Sequence, residues 1–170
     1  LHICDPAFHL DLDKIMPVPT DRAPYLLVYL RNGAFEPELK NAVVNFAKKK
    51  GLKIVATYYI HRWADENLVS LQPQDWVGLM RDAAYVVTNT FHGSVFSIML
   101  EKAFALDYND GIRLKTKGMI EAMGLTGRTI TNADQLESVL ETSIDYSDAR
   151  SFRERETLKA RQFLEQALSA

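Results

Sequence analysis

The stretch Asn89-Thr90-Phe91-His92-Gly93-Ser94 sets two amide or imidazole groups and two hydroxyls at the seam between two apolar runs, Tyr85 to Val87 before it and Val95 to Leu100 after it. The first run reads as a strand end and the second as the body of a buried helix. A helix start presents backbone N–H groups without intrahelical partners, together with the positive end of the helix dipole, so it is suited to hold a phosphate or a carboxylate. On this reading Thr90 and Ser94 add hydroxyl donors, Gly93 lets backbone or ligand approach closely, and His92 meets whatever is bound, placed for proton transfer. A histidine beside a helix start also serves as a structural cap, and the residues alone leave both roles open.

The elements that must position this seam follow from periodicity. The run 25–30 is apolar throughout and too short for a helix, so it is expected to be a strand buried on both faces. Residues 36–50 place Leu39, Val43, Phe46 and Ala47 at helical spacing, end in three lysines that suit a negative helix terminus, and close on Gly51. Strands are expected at 53–59, 85–88, 103–108 and, as a short one, 128–131; helices are expected at 71–83, 93–101, in the segment ending at Gly124, from the Asn132 cap to about residue 143, and at 148–169. Strands alternating with helices imply βαβ units and a parallel sheet, hence a Rossmann-like three-layer α/β domain over residues 25–147. It is preceded by an extended opening segment, 1–24, with Pro6, Pro17, Pro19 and Pro24, and followed by a charged helix, 148–170, packing on the domain.

In open α/β sheets ligands bind beyond the carboxyl ends of the strands. The polar residues collect at those ends: Arg31 and Asn32 after the first strand, His61 and Arg62 after the second, Asn89 to Ser94 after the third, and Asn109, Asp110, Gly111 and Arg113 after the fourth. Arg113 is a candidate for gripping an anion, or a partner for Asp110 or Glu121. Tyr58 and Tyr59 are expected to be sheet packing. The spacing of His92 with Asp107 or Asp110 fits no metal scheme, and no metal is expected.

Composition excludes several classes. At 170 residues with 47% apolar and 25% charged residues the chain suits one globular domain. A net charge of −2 offers no field for nucleic acid. The single cysteine, Cys4, rules out an intrachain disulfide and suits a cytoplasmic protein. There is no GxGxxG, no GxxxxGK[ST] and no GxSxG, and the start on Leu1 reads as a piece of a longer protein.

With these residues in view, AAYVVTNTFHGSVFSIMLEKAFALDYND (83–110) resembles the signature of the polysaccharide pyruvyl transferase family, an Ala-Tyr-x-Val-x-Thr-Asp-Ser-Phe-His-Gly stretch, an apolar helix and a Lys-Pro-Phe strand start. GIRLKTKGMIEAMGL (111–125), LQPQDWVGLMRDA (71–83) and DPAFHLD (5–11) resemble other parts of the pattern, so the likeness runs from Asp5 to Thr131. Asn89 stands where the family usually has Asp, which removes a carboxylate partner for His92, and Ala103 replaces the usual Pro. The resemblance implies the C-terminal half of a GT-B-like two-domain enzyme, whose N-terminal half lies outside this chain. It implies transfer of pyruvate from phosphoenolpyruvate, as donor substrate and with no cofactor, onto a glycan or lipid-linked sugar as a ketal, in the cytoplasm or at the inner face of the membrane. His92 would be catalytic, taking the acceptor proton or giving one to the departing phosphate or the methylene carbon. Asn89, Thr90, Gly93, Ser94, Arg113, Arg31 and Asn109 would bind substrate. A glycosyltransferase using a nucleotide sugar, and a non-catalytic binding domain of the same fold, are the alternatives.

Overall fold

Side chains alternate across a strand, and that alternation divides this core in two. The computed structural model describes residues 4–19, 21–31 and 36–169. Strand β1 (Tyr25–Tyr29) sends Tyr25 and Leu27 to one face and Leu26 and Val28 to the other, and every one of them is buried. Around it lie β2 (Lys53–Thr57), β3 (Glu66–Leu68), β4 (Tyr85–Thr88), β5 (Phe104–Asp107) and β6 (Thr129–Ile130), in the order β3-β2-β1-β4-β5-β6. All neighbouring pairs are parallel, with Val28 beside both Ala56 and Val87, and Val87 beside Ala105. An all-parallel sheet needs cover on both sides.

That cover comes from helices whose apolar faces match the two sets. Helix α2 (Pro37–Lys50) is amphipathic, starts on a proline where the missing N–H costs nothing, and ends on Gly51 at φ 66. With α6 (Leu136–Glu141) it packs Val43, Phe46, Leu136 and Leu140 against Leu26, Val28, Ile54 and Val87. On the opposite face, α3 (Pro73–Asp82), α4 (Phe91–Met99), α5 (Asp110–Ala122) and α7 (Ser147–Leu168) join one cluster that includes Trp76, Met80, Phe96, Ile98, Ile120 and Ala149. Helix α4 is buried from Gly93 to Met99, so it is held firmly behind the sheet edge it starts from.

Three departures from the sequence expectations have physical reasons. The opening segment is not simply extended: Asp5 caps a 3-10 turn, Pro6–His9, and α1 (Leu12–Ile15) follows. Its buried Phe8 supplies the anchor. Strand β3 has no counterpart in the expected elements, because Glu-Asn-Leu carries no apolar run; as a three-residue edge strand it needs none. Strand β2 ends at Thr57 instead of residue 59, since Tyr58 turns to a positive φ of 69 and leaves the strand direction.

Leu27 is fully buried at the centre of the sheet. Leu27→Ala is expected to cost about 2–5 kcal/mol through lost burial and an unfilled cavity. The check is a lower urea midpoint with an unchanged m-value.

Candidate functional site

The chain runs from β1 outward to β2 and β3, then returns to β4 beside β1, so the direction of winding reverses between β1 and β4. Crevices of open α/β sheets form at such a point. A cavity of about 400 Å³ lies there, lined from the carboxyl ends of four adjacent strands: Tyr58 and Tyr59 after β2, Tyr29 to Arg31 at the end of β1, Asn89 to His92 after β4, and Asn109, Gly111, Ile112 and Lys115 after β5.

The β4–α4 junction is built by a relay of hydroxyls. Buried Thr88 donates through Oγ1 to the Tyr29 carbonyl at 2.6 Å, and its oxygen lies 2.9 Å from Thr90 Oγ1. Thr90 is the N-cap of α4, its hydroxyl accepting from the Gly93 N–H at 2.9 Å, while the Ser94 N–H goes to the Thr90 carbonyl at 3.1 Å. The third and fourth N–H groups of α4 are therefore committed, and those of Phe91 and His92 remain at the helix end. Both residues line the cavity.

Gly93 and Ser94 work inside the protein. A Cβ on Gly93 would lie 2.2 Å from Thr88 Oγ1 and 2.5 Å from Thr90 Oγ1, so the glycine makes room for the hydroxyl relay and not for a ligand. Ser94 is fully buried and donates to the Phe91 carbonyl at 2.7 Å. Asn89 accepts the Arg31 N–H at 2.7 Å, tying the end of β1 to that of β4. Asn109 caps α5 by accepting the Ile112 N–H at 3.2 Å. It also hydrogen-bonds Asp107, whose carboxyl is pushed up by burial and partly drawn back by that bond.

His92 is more than half exposed, and its Nε2 lies 3.7 Å from Asp5 Oδ2. The other Asp5 oxygen accepts the Ala7 N–H at 2.9 Å, which fixes the carboxylate at the head of the 3-10 turn. A carboxylate near the imidazole is thus present on the opening segment, while the Asn89 side chain is turned to Arg31. Sequence spacing carries no sign of this, since 87 positions separate the two residues; the Asp-Pro pair, a turn cap with a free second oxygen, is the available signal.

The cation facing the cavity also differs from the one expected. Arg113 pairs with Asp110 at 3.0 Å and lines a separate hollow with Tyr108 and Lys117. Two positions along α5, some 200° round the helix, Lys115 lines the His92 cavity instead. Lys115 and Arg31 enter no ion pair among the described residues. Asn32 lies outside the described residues. His61, expected on the rim, is buried, its backbone held by the Asn67 side chain. Tyr58 and Tyr59, expected to be packing, are each about two-fifths exposed and form one wall of the cavity. Among the described residues no three His, Cys, Asp or Glu side chains cluster as a metal site, and no helix is long and apolar enough to cross a membrane.

A family model for polysaccharide pyruvyl transferase matches residues 1–110. No curated protein matches the chain. Among solved structures, UDP-GlcNAc 2-epimerase from Methanocaldococcus jannaschii in complex with UDP-GlcNAc and UDP is similar at a TM-score of 0.55 and 11% identity, over 95% of this chain and 49% of that one. UDP-GlcNAc 2-epimerase from Neisseria meningitidis bound to UDP-GlcNAc follows at 0.52 and 12%, over 94% and 47%. The glycotransferase of kitacinnamycin is similar at 0.52 and 16%, over 87% and 45%. At these identities the likeness is one of fold, a Rossmann-like three-layer α/β architecture. The chain spans less than half the length of each.

Two helical glycines separate crowding from propensity. A methyl group on Gly118 in α5 would have nothing within 4 Å of it, so Gly118→Ala is expected to gain up to about 1 kcal/mol. Gly93→Ala is expected to lose about 1–3 kcal/mol by overpacking the hydroxyl relay. Thermal unfolding of both variants checks the contrast.

Proposed function

This chain belongs to the polysaccharide pyruvyl transferase family, and from that membership and the cleft we propose that it is the donor-binding half of an enzyme that moves pyruvate from phosphoenolpyruvate onto two hydroxyls of a sugar. The acceptor is a glycan or lipid-linked sugar, and the reaction belongs in the cytoplasm, at the inner face of the membrane for a lipid-linked acceptor. In this transfer two sugar oxygens bond in turn to the central carbon of the donor, its bond to the phosphate oxygen breaks, and its methylene becomes a methyl. Of the two hydroxyl protons displaced, one balances the new methyl and the other leaves with inorganic phosphate.

The observation that carries the reading is the convergence, in one cavity, of Phe91 and His92, whose N–H groups have no hydrogen-bond partner among the described residues, with Lys115, Arg31 and Asn109. A donor with a carboxylate and a phosphate needs this kind of lining: a helix start for one anion and cations for the rest. His92, half-exposed at the same place, is the group for proton transfer, either from the acceptor hydroxyl or to the departing phosphate or methylene. The Asp5 carboxylate stands 3.7 Å from the imidazole Nε2. Thr90 and Asn89 act by fixing the junction, and Gly93 and Ser94 by letting it close. Arg113 has no part in holding the donor on this reading.

Phosphoenolpyruvate at about 100 times its Kd is expected to stabilise the chain by roughly 2.7 kcal/mol. Lys115→Ala should weaken that stabilisation and Arg113→Ala should leave it unchanged; the reverse order, or stabilisation by UDP in place of phosphoenolpyruvate, contradicts the assignment and favours a nucleotide-sugar enzyme. In the full-length enzyme, His92→Ala is expected to lower turnover by about 10²–10⁴-fold with unchanged circular dichroism. Near-native turnover in that variant removes His92 from the mechanism.

A further inference from the structure

We propose that Tyr58 and Tyr59 form the platform on which the pyranose ring of the acceptor sugar lies, an inference that rests on the small-donor reading of the same cavity. The cavity is polarised along the sheet edge. Its anion-holding groups stand at the ends of β4 and β5, with Arg31 beside them at the end of β1, and Tyr58 and Tyr59 stand beyond Arg31 at the end of β2, so a small acidic donor at the α4 end leaves the tyrosine end for a second reactant.

Three observations point to a ligand at the tyrosine end. The first is exposure: Tyr58 and Tyr59 remain 40% and 44% exposed, although each is a large ring following the buried end of β2, Ile54 to Thr57. The second is backbone conformation. Tyr58 is held at φ 69, in the left-handed region that a bulky residue rarely adopts, with its N–H bonded to the Leu68 carbonyl at 3.1 Å. A continued β2 would put residue 58 on the face of Ile54 and Ala56, and the turn instead brings its ring beside Tyr29 and Trp76 on the cavity wall; strain of this kind is retained where a site needs it. The third is rigidity. Tyr58 lies 5.3 Å from Tyr29 and 6.2 Å from Trp76, ring centre to ring centre, Tyr29 lies 4.9 Å from Trp76, and Trp76 lies 5.1 Å from Phe96 of α4. Tyr58 is therefore linked, through Trp76, to the same helix that carries His92.

The chemistry fits a sugar ring. Its C–H face packs on an aromatic face, and phenol hydroxyls bond the equatorial hydroxyls that such packing leaves at the edge. Burial, followed by the neighbouring Tyr58 and Tyr59, pushes the Tyr29 hydroxyl up, so it is a neutral donor at physiological pH. A ring lying on this wall presents its edge hydroxyls toward His92 in the same hollow, which is the orientation the transfer requires.

The test uses this chain without phosphoenolpyruvate. The probes are methyl β-galactopyranoside, methyl β-glucopyranoside and methyl β-mannopyranoside, with uridine as the competing class. The expected result is that at least one glycoside shifts the ring-proton NMR signals of Tyr58 and Tyr59 and that uridine does not. Tyr58→Phe should keep the response of Tyr59, whereas Tyr58→Gly, which relieves the left-handed strain and is expected to fold, should lower the glycoside's affinity at least 10-fold. In the full-length enzyme the same Gly variant should raise the acceptor KM by a similar factor with the donor KM unchanged. A response to uridine alone, silence toward all three glycosides, or undiminished affinity in folded Tyr58→Gly overturns the inference. Donor stabilisation with silent tyrosines counts against this platform only; tyrosine shifts with glycoside but no donor stabilisation count against the phosphoenolpyruvate reading only.

Discussion

The hydroxyl relay Tyr29 carbonyl, Thr88, Thr90, Gly93 N–H is the constraint on which the site depends. It joins the end of one central strand to the cap of the helix that follows its neighbour, at the point where the sheet changes its direction of winding. Each hydroxyl both donates and accepts, so the geometry of the first bond fixes the second. A side chain on residue 93 would break the sequence of bonds at its last link, which explains why the glycine there is a structural requirement of the cap. The cost of burying Thr88 is offset because its oxygen is fully partnered.

From that constraint follow the two properties of the cavity. The cap consumes the deeper N–H groups and leaves the outer two, so whatever anion enters meets the helix at its very end and close to the imidazole. The tie from Arg31 to Asn89 closes the gap between β1 and β4 and brings the aromatic and polar ends of the cleft into one hollow. An amide suits this tie better than a carboxylate would in one respect: it accepts the backbone N–H without adding a negative charge at the mouth of the proposed anion site. The charge beside His92 comes instead from Asp5, on a turn that Phe8 anchors in the core.

The fold is legible because burial on both faces writes strands such as 25–29 and 85–88 as apolar runs and writes α2 as a clean amphipathic stripe. Strand β3 is not, because an edge strand of three residues leaves no apolar mark. At the site, His92, Thr90 and Asn89 are legible from their place at a strand–helix seam. The face of a helix near its start is harder to read: Arg113 and Lys115 differ by two positions, and only the packing of Ile112 and Thr116 decides which of them meets the cleft. Ser94 reads as a ligand donor from its position, yet a hydroxyl in the first turn bonds its own backbone as readily as a ligand. Tyr58 and Tyr59 look like strand residues, since nothing in their identity announces a left-handed turn. Asp5 depends on a contact far apart in sequence, which no local pattern contains.

The central claim is that the outer N–H groups of α4 hold an acidic donor, and amide NMR reads those groups one by one. Titrating the ¹⁵N-labelled chain with phosphoenolpyruvate is expected to move the Phe91 and His92 amide signals most and the Ser94 signal, committed to the Thr90 carbonyl, little. Saturating donor that leaves Phe91 and His92 in place, with changes confined to other elements or absent, would contradict it.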